Sequence, residues 1–426
     1  MAGRAEFAAT GPGAPAGRPF ALLALFLGMH VINHVDRHLV ASFAPQIMAD
    51  LALSRSEFAL IAGLGFSIVY AVNALGAGLL ADRIGRVRVL TAGAGTWSLF
   101  TAACGLATGF WSLLAMRPFV AAGEATLVPT ATNILLSRTP ERARATAMGL
   151  FFMGIPLGVG GSYLVAATLG PAIGWRYCFF LMGAIGIIGT LAVSRVRDER
   201  PDRTTTTDHP SSTDRLTGWW TAMYTNARLR NASIAIILFH AHMATGAFTQ
   251  LWLVADKGFA SDRAASLYGT FFILLGVAGS AGSGLITDWL HQRWRIDRAR
   301  ALAMLMLALA PLLIAYRLGS GESPLMIAGM AASVFYFTAA YGPCFSIIEK
   351  ELPAELKATA TGINMLLINI LMIGGLALLI GLASDALAAR GIAHSWTWPL
   401  LGADIISMLG VAALLSCPRS ATDCSR

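Results

Sequence analysis

The sequence predicts an all-α membrane protein of twelve transmembrane helices arranged as two six-helix bundles. Three observations carry that prediction. Only 13% of the 426 residues are charged and 56% are hydrophobic, with a mean hydropathy of +0.65, whereas a soluble domain carries about 25% charged residues. The apolar residues gather into runs of about 20, the length a helix needs to cross a bilayer. The second half of the chain also repeats landmarks of the first. The 44 glycines suit closely approaching membrane helices.

Residues 1–19 lack the basic, apolar and cleavage order of a signal peptide and read as a flexible tail. The first apolar run is 20–44, followed by 57–81, 87–107, 111–136, 145–168 and 175–194. Charge, Thr, Ser and Pro then dominate 195–230, which reads as a disordered cytoplasmic linker between halves. The second set is 231–255, 265–289, 299–317, 324–348, 358–384 and 396–416, with 417–426 as a C-terminal tail. Basic residues orient the set. With both termini in the cytoplasm, the inner loops hold Arg83, Arg86, Arg88, Arg138, Arg142, Arg144, Arg293, Arg295, Arg298 and Arg300. The outer side holds only Arg55, Arg176, Lys257, Arg263, Arg317 and Arg390. A multi-pass protein of a bacterial inner (plasma) membrane, acting as a monomer among membrane lipids, is expected. The net charge of +8 is spread over short loops and forms no nucleic-acid patch. The cysteines form no CxxC pair, so neither a disulfide framework nor a metal site is expected.

The repeat is visible in two places. Pro140-Glu-Arg-Ala-Arg-Ala-Thr-Ala-Met-Gly149 after the fourth span matches Pro353-Ala-Glu-Leu-Lys-Ala-Thr-Ala-Thr-Gly362 after the tenth. Gly78-Leu-Leu-Ala-Asp82 after the second matches Gly284-Leu-Ile-Thr-Asp288 after the eighth. Such a parallel repeat places a substrate site between halves near the midplane.

Gly78-Leu-Leu-Ala-Asp82-Arg83-Ile-Gly85-Arg86-Val-Arg88 resembles the signature between helices 2 and 3 of major facilitator transporters. Within that superfamily the chain is most similar to the Spinster-like group. Asp36-Arg37, Arg117 with Gly123-Glu124-Ala125, Gly154-Ile-Pro-Leu-Gly158, and the stretch from Ala358 through Asn369 to Ser384-Asp385 carry that likeness. The resemblance implies proton-linked movement of an amphipathic solute such as a lysophospholipid or sphingoid lipid. The same charged signals also resemble the anion–cation symporters, which implies a proton symporter of carboxylates or hexuronates as the alternative.

The buried charges point to the chemistry. A charge mid-membrane costs roughly 2.5–3.5 kcal/mol on insertion scales, so such residues face wet cavities or pair. Asp36 stands about 24 Å along its helix from Phe20, and Arg117 about 9 Å from Trp111 on a helix running the other way. Their depths agree, which permits pairing. Glu124 lies on the Arg117 face about 10 Å deeper. Asp36 and Glu124 are the candidate proton-coupling groups. Arg37 and Arg117, which stay charged, are their partners or anchors for a substrate anion. The competing reading is a static ion-pair network. No cofactor is expected, the proton gradient being the driving force.

His30, His34 and His38 form a stripe on the first span, and His34 is the one expected to face the cavity. The other expected lining residues are His240, Thr249 and Trp252 on helix 7, Tyr336 and Tyr341 on helix 10, and Asn364 and Asn369 on helix 11. Asp404 on helix 12 is expected to bond a neighbouring helix. Gly78 and Gly85 are expected to allow close packing and a tight turn at an inner gate with Arg83 and Arg86. There Asp82 would latch to a basic residue such as Arg144. The sequence shows no HExxH, GxSxG or Walker motif, so a membrane enzyme or ATP-driven pump is not expected. A non-transporting sensor would need an output domain that 195–230 is too short to supply.

Overall fold

The computed structural model describes residues 18–197 and 212–418, and those residues form helices without strands. Among the described residues, nine helices are long and apolar enough to cross a membrane, and a pair bent by 45° makes a tenth. Arg18–Ser42 and Arg86–Cys104 complete the set of twelve; Asp36, Arg37 and three histidines dilute the first, and Arg86, Arg88, Thr and Ser the second. In chain order the spans are α1 Arg18–Ser42, α2 Arg55–Ile84, α3 Arg86–Cys104, α4 Phe110–Arg138, α5 Glu141–Thr168 and α6 Gly170–Ser194. They continue as α7 Ala227–Thr245 with Thr249–Ala255, α8 Ser261–Trp294, α9 Arg298–Leu318, α10 Pro324–Lys350, α11 Glu355–Ala389 and α12 Thr397–Leu415.

Local chemistry sets the ends. Ser54 and Glu57 form a reciprocal capping box that starts α2. Gly85, at φ 108°, makes the turn into α3, a conformation that side-chain-bearing residues avoid. Gly174, at φ 78°, breaks α6, so its regular run begins at Trp175. Ser323 caps α10 with Pro324 at its first position. The second half of the expected linker is not irregular: Ser212–Thr225 is a helix, and α7 begins at Ala227. Its Trp219 is buried, and Gly218 sits against Leu356 of α11. The remainder of the linker, and both expected tails apart from their edges, lie outside the described residues.

The first bundle packs α1 on α5 and α6, and α3 on α4 and α6; the second packs α7 on α12, and α9 on α10 and α12. Gly154 and Gly158 let α5 approach α1 closely. A Cβ on them would stand 2.8 Å from His30 Cβ and 2.5 Å from Val31 O.

Between described residues, the hydrogen bonds that cross the halves gather toward one end, here called the clamped end. Arg55 Nη1 donates to Ser395 Oγ at 2.5 Å and to Ser384 O at 3.1 Å. The Arg55 and Ser56 amides donate to the Asp385 carboxylate at 3.3 and 2.9 Å. Gln46 Nε2 donates to Ser261 Oγ at 3.2 Å, and deeper in, Tyr163 Oη donates to Gly246 O at 3.1 Å. Beside them α5 and α8 cross backbone to backbone: a Cβ on Gly160 would meet Gly269 O at 2.6 Å. One apolar core runs through the first bundle and across this end to Phe248, Trp252 and Tyr268; a second surrounds Ile236, Leu302 and Cys344.

Candidate functional site

At the bundle interface lies a cavity of about 80 Å³, lined by both halves. Its polar wall is Arg37, His38, Ser67, Arg117, Tyr163, Tyr268 and Asn369; Phe66, Phe272, Phe337, Val159 and Ile373 supply much of the apolar wall.

Three of the helices that line it are locally widened to π geometry: Leu60–Leu64 in α2, Phe272–Gly276 in α8 and Ile368–Leu376 in α11. Ala62, Phe272, Asn369 and Ile373 on these segments border the cavity. The widened turn of α2 presents the Ile61 carbonyl to Arg117, whose Nε donates to it at 3.4 Å. Such turns often mark functional positions. Sequence reasoning missed them; Gly63, Gly276 and Gly374 on these turns were the available signal.

The intramembrane charges are brought together, but not in the expected pairing. Arg37 Nε donates to Glu124 Oε2 at 2.8 Å, and its guanidinium lies 4.1 Å over the Tyr70 ring. Arg117 forms no carboxylate ion pair among the described residues and instead stacks 4.4 Å over Phe66. Asp36 does not pair with Arg117. Its buried oxygens sit beside Trp97 and Thr101 of α3 without a well-formed hydrogen bond. The reason is helix geometry: consecutive residues diverge by about 100°, so Arg37 turns to α2 and α4 while Asp36 turns to α3. Both arginines border the cavity; neither carboxylate does.

Among the histidines, His38 borders the cavity and His34 does not. His34 packs on Gly158, and His30 Nδ1 lies 2.8 Å from Phe151 O. Of the lining residues expected on helices 7, 10 and 11, Asn369 borders the cavity, with its amide donating to Met365 O at 2.8 Å. The others lie off it. His240 Nδ1 is 2.7 Å from Ile236 O, and Thr249 donates to Thr245 O at 3.1 Å. Trp252 Nε1 donates to Thr397 Oγ1 at 2.8 Å inside the second bundle. Tyr336 Oη is 3.0 Å from Ser407 Oγ, and the Asn364 amide lies 3.4 Å from Ser233 Oγ. Tyr341 is 41% exposed with its hydroxyl toward Met365. Apart from the exposed Tyr341, these side chains sit on the expected helices but make their bonds within their own bundle.

The gate expected between α2 and α5 is not latched in this conformation. Asp82 lies 3.8 Å from Arg86 across the Gly85 break, while Arg144 Nε donates to Thr139 O at 3.3 Å. Arg83 is exposed, and Gly78 has open space where a Cβ would stand, so close packing does not explain it here.

A second buried charge cluster occupies the other bundle. Asp404 bonds a neighbouring helix as expected: its Oδ2 accepts from Arg317 Nε at 2.6 Å, and its Oδ1 is 2.6 Å from His242 Nδ1. Arg317 is therefore not an outer-loop residue but fully buried. It sits at the end of an apolar run, where sequence alone reads a loop.

The family described as Major Facilitator Superfamily matches residues 26–376 of this chain. An MFS-type efflux pump of Mycolicibacterium smegmatis is 26% identical over 377 residues, covering 87% of this chain and 85% of that protein. A hexuronate transporter of Bacillus subtilis is 30% identical over 277 residues, covering 64% and 65%. A bacterial homolog of the human lysosomal transporter Spinster, solved inward-facing and occupied, superposes with a TM-score of 0.79 at 20% identity, covering 96% of this chain and 99% of that one.

Proposed function

The chain belongs to the Major Facilitator Superfamily, and on that premise we propose that it is a proton-coupled secondary transporter moving an organic anion by alternating access. The observation that carries this reading is the charge balance at the cavity. Two guanidiniums border it, one carboxylate pairs with one of them from behind, and Arg117 has only a long bond to a carbonyl. A carboxylate or phosphate would complete that set through charge-assisted bonds.

Coupling follows from competition for Arg37. While Glu124 is ionised it holds the Arg37 guanidinium. A proton on Glu124 weakens that pair and frees Arg37 for the substrate anion. Proton and anion then favour each other's binding, and by linkage the effect is reciprocal. That is the thermodynamic requirement of symport. Asp36, buried one residue away on another face, is a second carboxyl able to respond to the same charges. With both termini in the cytoplasm, the clamped end is the outer one and this conformation faces inward. The hexuronate transporter among its relatives agrees with an anionic substrate.

A second reading, a lysophospholipid-like substrate, is favoured by the Spinster-like motifs of the sequence and by the aromatic wall of Phe66, Phe272 and Phe337. A phosphate headgroup would meet the same arginines, whereas the amine of a sphingoid base would be repelled by them.

Proteoliposomes under an imposed pH gradient test both readings, with a hexuronate, an aromatic carboxylate and a lysophospholipid as solutes. The expected result is gradient-driven accumulation of an anion, lost in Glu124→Gln while substrate binding stays measurable. Full accumulation by Glu124→Gln with normal proton flux would remove Glu124 from the coupling role.

A further inference from the structure

The buried cluster in the second bundle joins four helices around one imidazole. His242 of α7 places Nδ1 2.6 Å from Asp404 Oδ1 of α12. Its Nε2 lies 3.1 Å from Ser333 Oγ and 3.2 Å from Ser333 O of α10. Arg317 of α9 donates to Asp404 Oδ2 and, through Nη2 at 2.9 Å, to Thr245 Oγ1; its Nη1 has no partner. The remaining titratable neighbours are three phenols and one amine: Tyr336 with its ring 5.4 Å from His242, Tyr316 under Arg317 at 5.0 Å, Tyr268 of α8, and Lys257, which lies 5.3 Å over the Trp252 ring that Arg317 also covers. None of these groups borders the cavity except Tyr268.

We infer that His242, held between Asp404 and Ser333, is a second proton-binding site of the transporter, separate from the Glu124 site. Ser333 offers both partners that such a site needs. With neutral imidazole, Nδ1–H donates to Asp404 and Nε2 accepts from the Ser333 hydroxyl. When Nε2 takes a proton, the new N–H donates to the Ser333 carbonyl. Both imidazole nitrogens are hydrogen-bonded in both states, so the ring itself strands no buried polar atom in either. Charge changes with the proton: Arg317 and Asp404 balance in the neutral state, and the loaded state carries one extra positive charge in the bundle interior.

The position of the cluster gives that charge something to act on. Thr245, which accepts from Arg317 and donates to the His242 carbonyl, is the last residue before the 45° bend of α7. Gly246 and Ala247 in the bend border the cavity, and Gly246 O accepts the Tyr163 hydroxyl from the other half. A proton at His242 therefore alters the support of a bend that forms cavity wall and cross-half contact together.

The test is histidine ring ¹⁵N spectroscopy on the full chain in lipid nanodiscs. The His242 pair of signals is assigned by its loss in His242→Asn, or by its displacement in Ser333→Ala should the first variant not fold. It is expected to pass from imidazolium to neutral within the pH range over which the protein stays folded. One protonation state held throughout that range overturns the inference. In vesicles, His242→Asn with Glu124 intact is expected to bring the ratio of uptake rates at pH ~5.5 and ~7.5 toward one relative to wild type. Superimposable profiles overturn it equally. The spectroscopic result stands whether or not Glu124→Gln uncouples transport, so the two failures are distinguishable.

Discussion

Arg117 shows what a single residue needs in this interior. Its guanidinium is held by a ring face below and a carbonyl from a widened turn beside it, and the rest of its donor fork faces the cavity. Lysine would keep the charge but lose the planar stacking and the two-pronged recognition of an anion. Arg117→Lys is expected to raise the substrate KM about tenfold, roughly 1.4 kcal/mol, with a folded protein by size-exclusion chromatography. An unchanged KM would remove Arg117 from the anion site. At this scale the sequence showed Asp36, Arg117, Glu124 and Asp404 to be buried, because bilayer cost makes a charge inside an apolar run conspicuous, but it missed Arg317 at the end of one. It did not show their partners. Asp36 and Arg117 agree in depth, but partner choice depends on the azimuth of each helix, and Asp36 turns to Trp97 while its neighbour Arg37 takes Glu124. The same gap placed His240 toward the cavity when His242, two residues on, carries the bundle's polar chemistry.

Among the elements, most spans were legible because long apolar runs bounded by Gly, Pro and arginine are unambiguous. The irregular parts were not. π turns leave no period in the sequence, and the linker helix Ser212–Thr225 is stabilised by docking Trp219 rather than by its own composition. One clamp at the end opposite the Arg55 cluster decides how α7, α9 and α10 meet. Arg228 reaches Asp297 at 2.9 Å, Glu351 at 3.1 Å and Pro418 O at 2.6 Å. Arg228→Ala leaves two carboxylates without their cation and is expected to cost about 3 kcal/mol, read as a lowered melting temperature in detergent. Burial pushes the Asp297 carboxyl up, but Arg228 and the amides at the start of α9 outweigh it and hold it below the usual carboxylate range. Its contribution is thus present above the ordinary value of about 3.9 and is lost as pH falls through the lowered folded value. Melting curves in mildly to strongly acid buffer check this: Asp297→Asn should lose the acid-dependent part of the stability, and an unchanged dependence would assign it elsewhere.

For the molecule as a whole, the contacts that join the halves are concentrated at the clamped end. Asp385 accepts the first amides of α2 from the opposite bundle, so it acts as a helix cap supplied across the interface. Asp385→Ala is expected to weaken this end by about 1 kcal/mol, roughly a fivefold shift toward the alternate state. Spin-label distances between positions 46 and 261 measure it; a distribution identical to wild type would make Asp385 a brace without influence on the cycle. The two-bundle layout was readable from the repeat alone. Which end is shut was not, because shutting depends on long-range pairings such as Arg55 with Ser395 that no local pattern encodes.

The crossing of Gly160 and Gly269 has a mechanical meaning. Two helices from opposite halves approach there backbone to backbone, with Ile273 and Tyr163 packed beside them and no side chain on either glycine to unlock or lose rotamer freedom when the halves tilt. Such a contact behaves as a smooth bearing. It is expected to let the halves tilt and part without unlocking interdigitated residues, leaving the Arg55 cluster and the α7 bend as the contacts that must change. Any side chain added to the bearing would turn a pivot into a wedge.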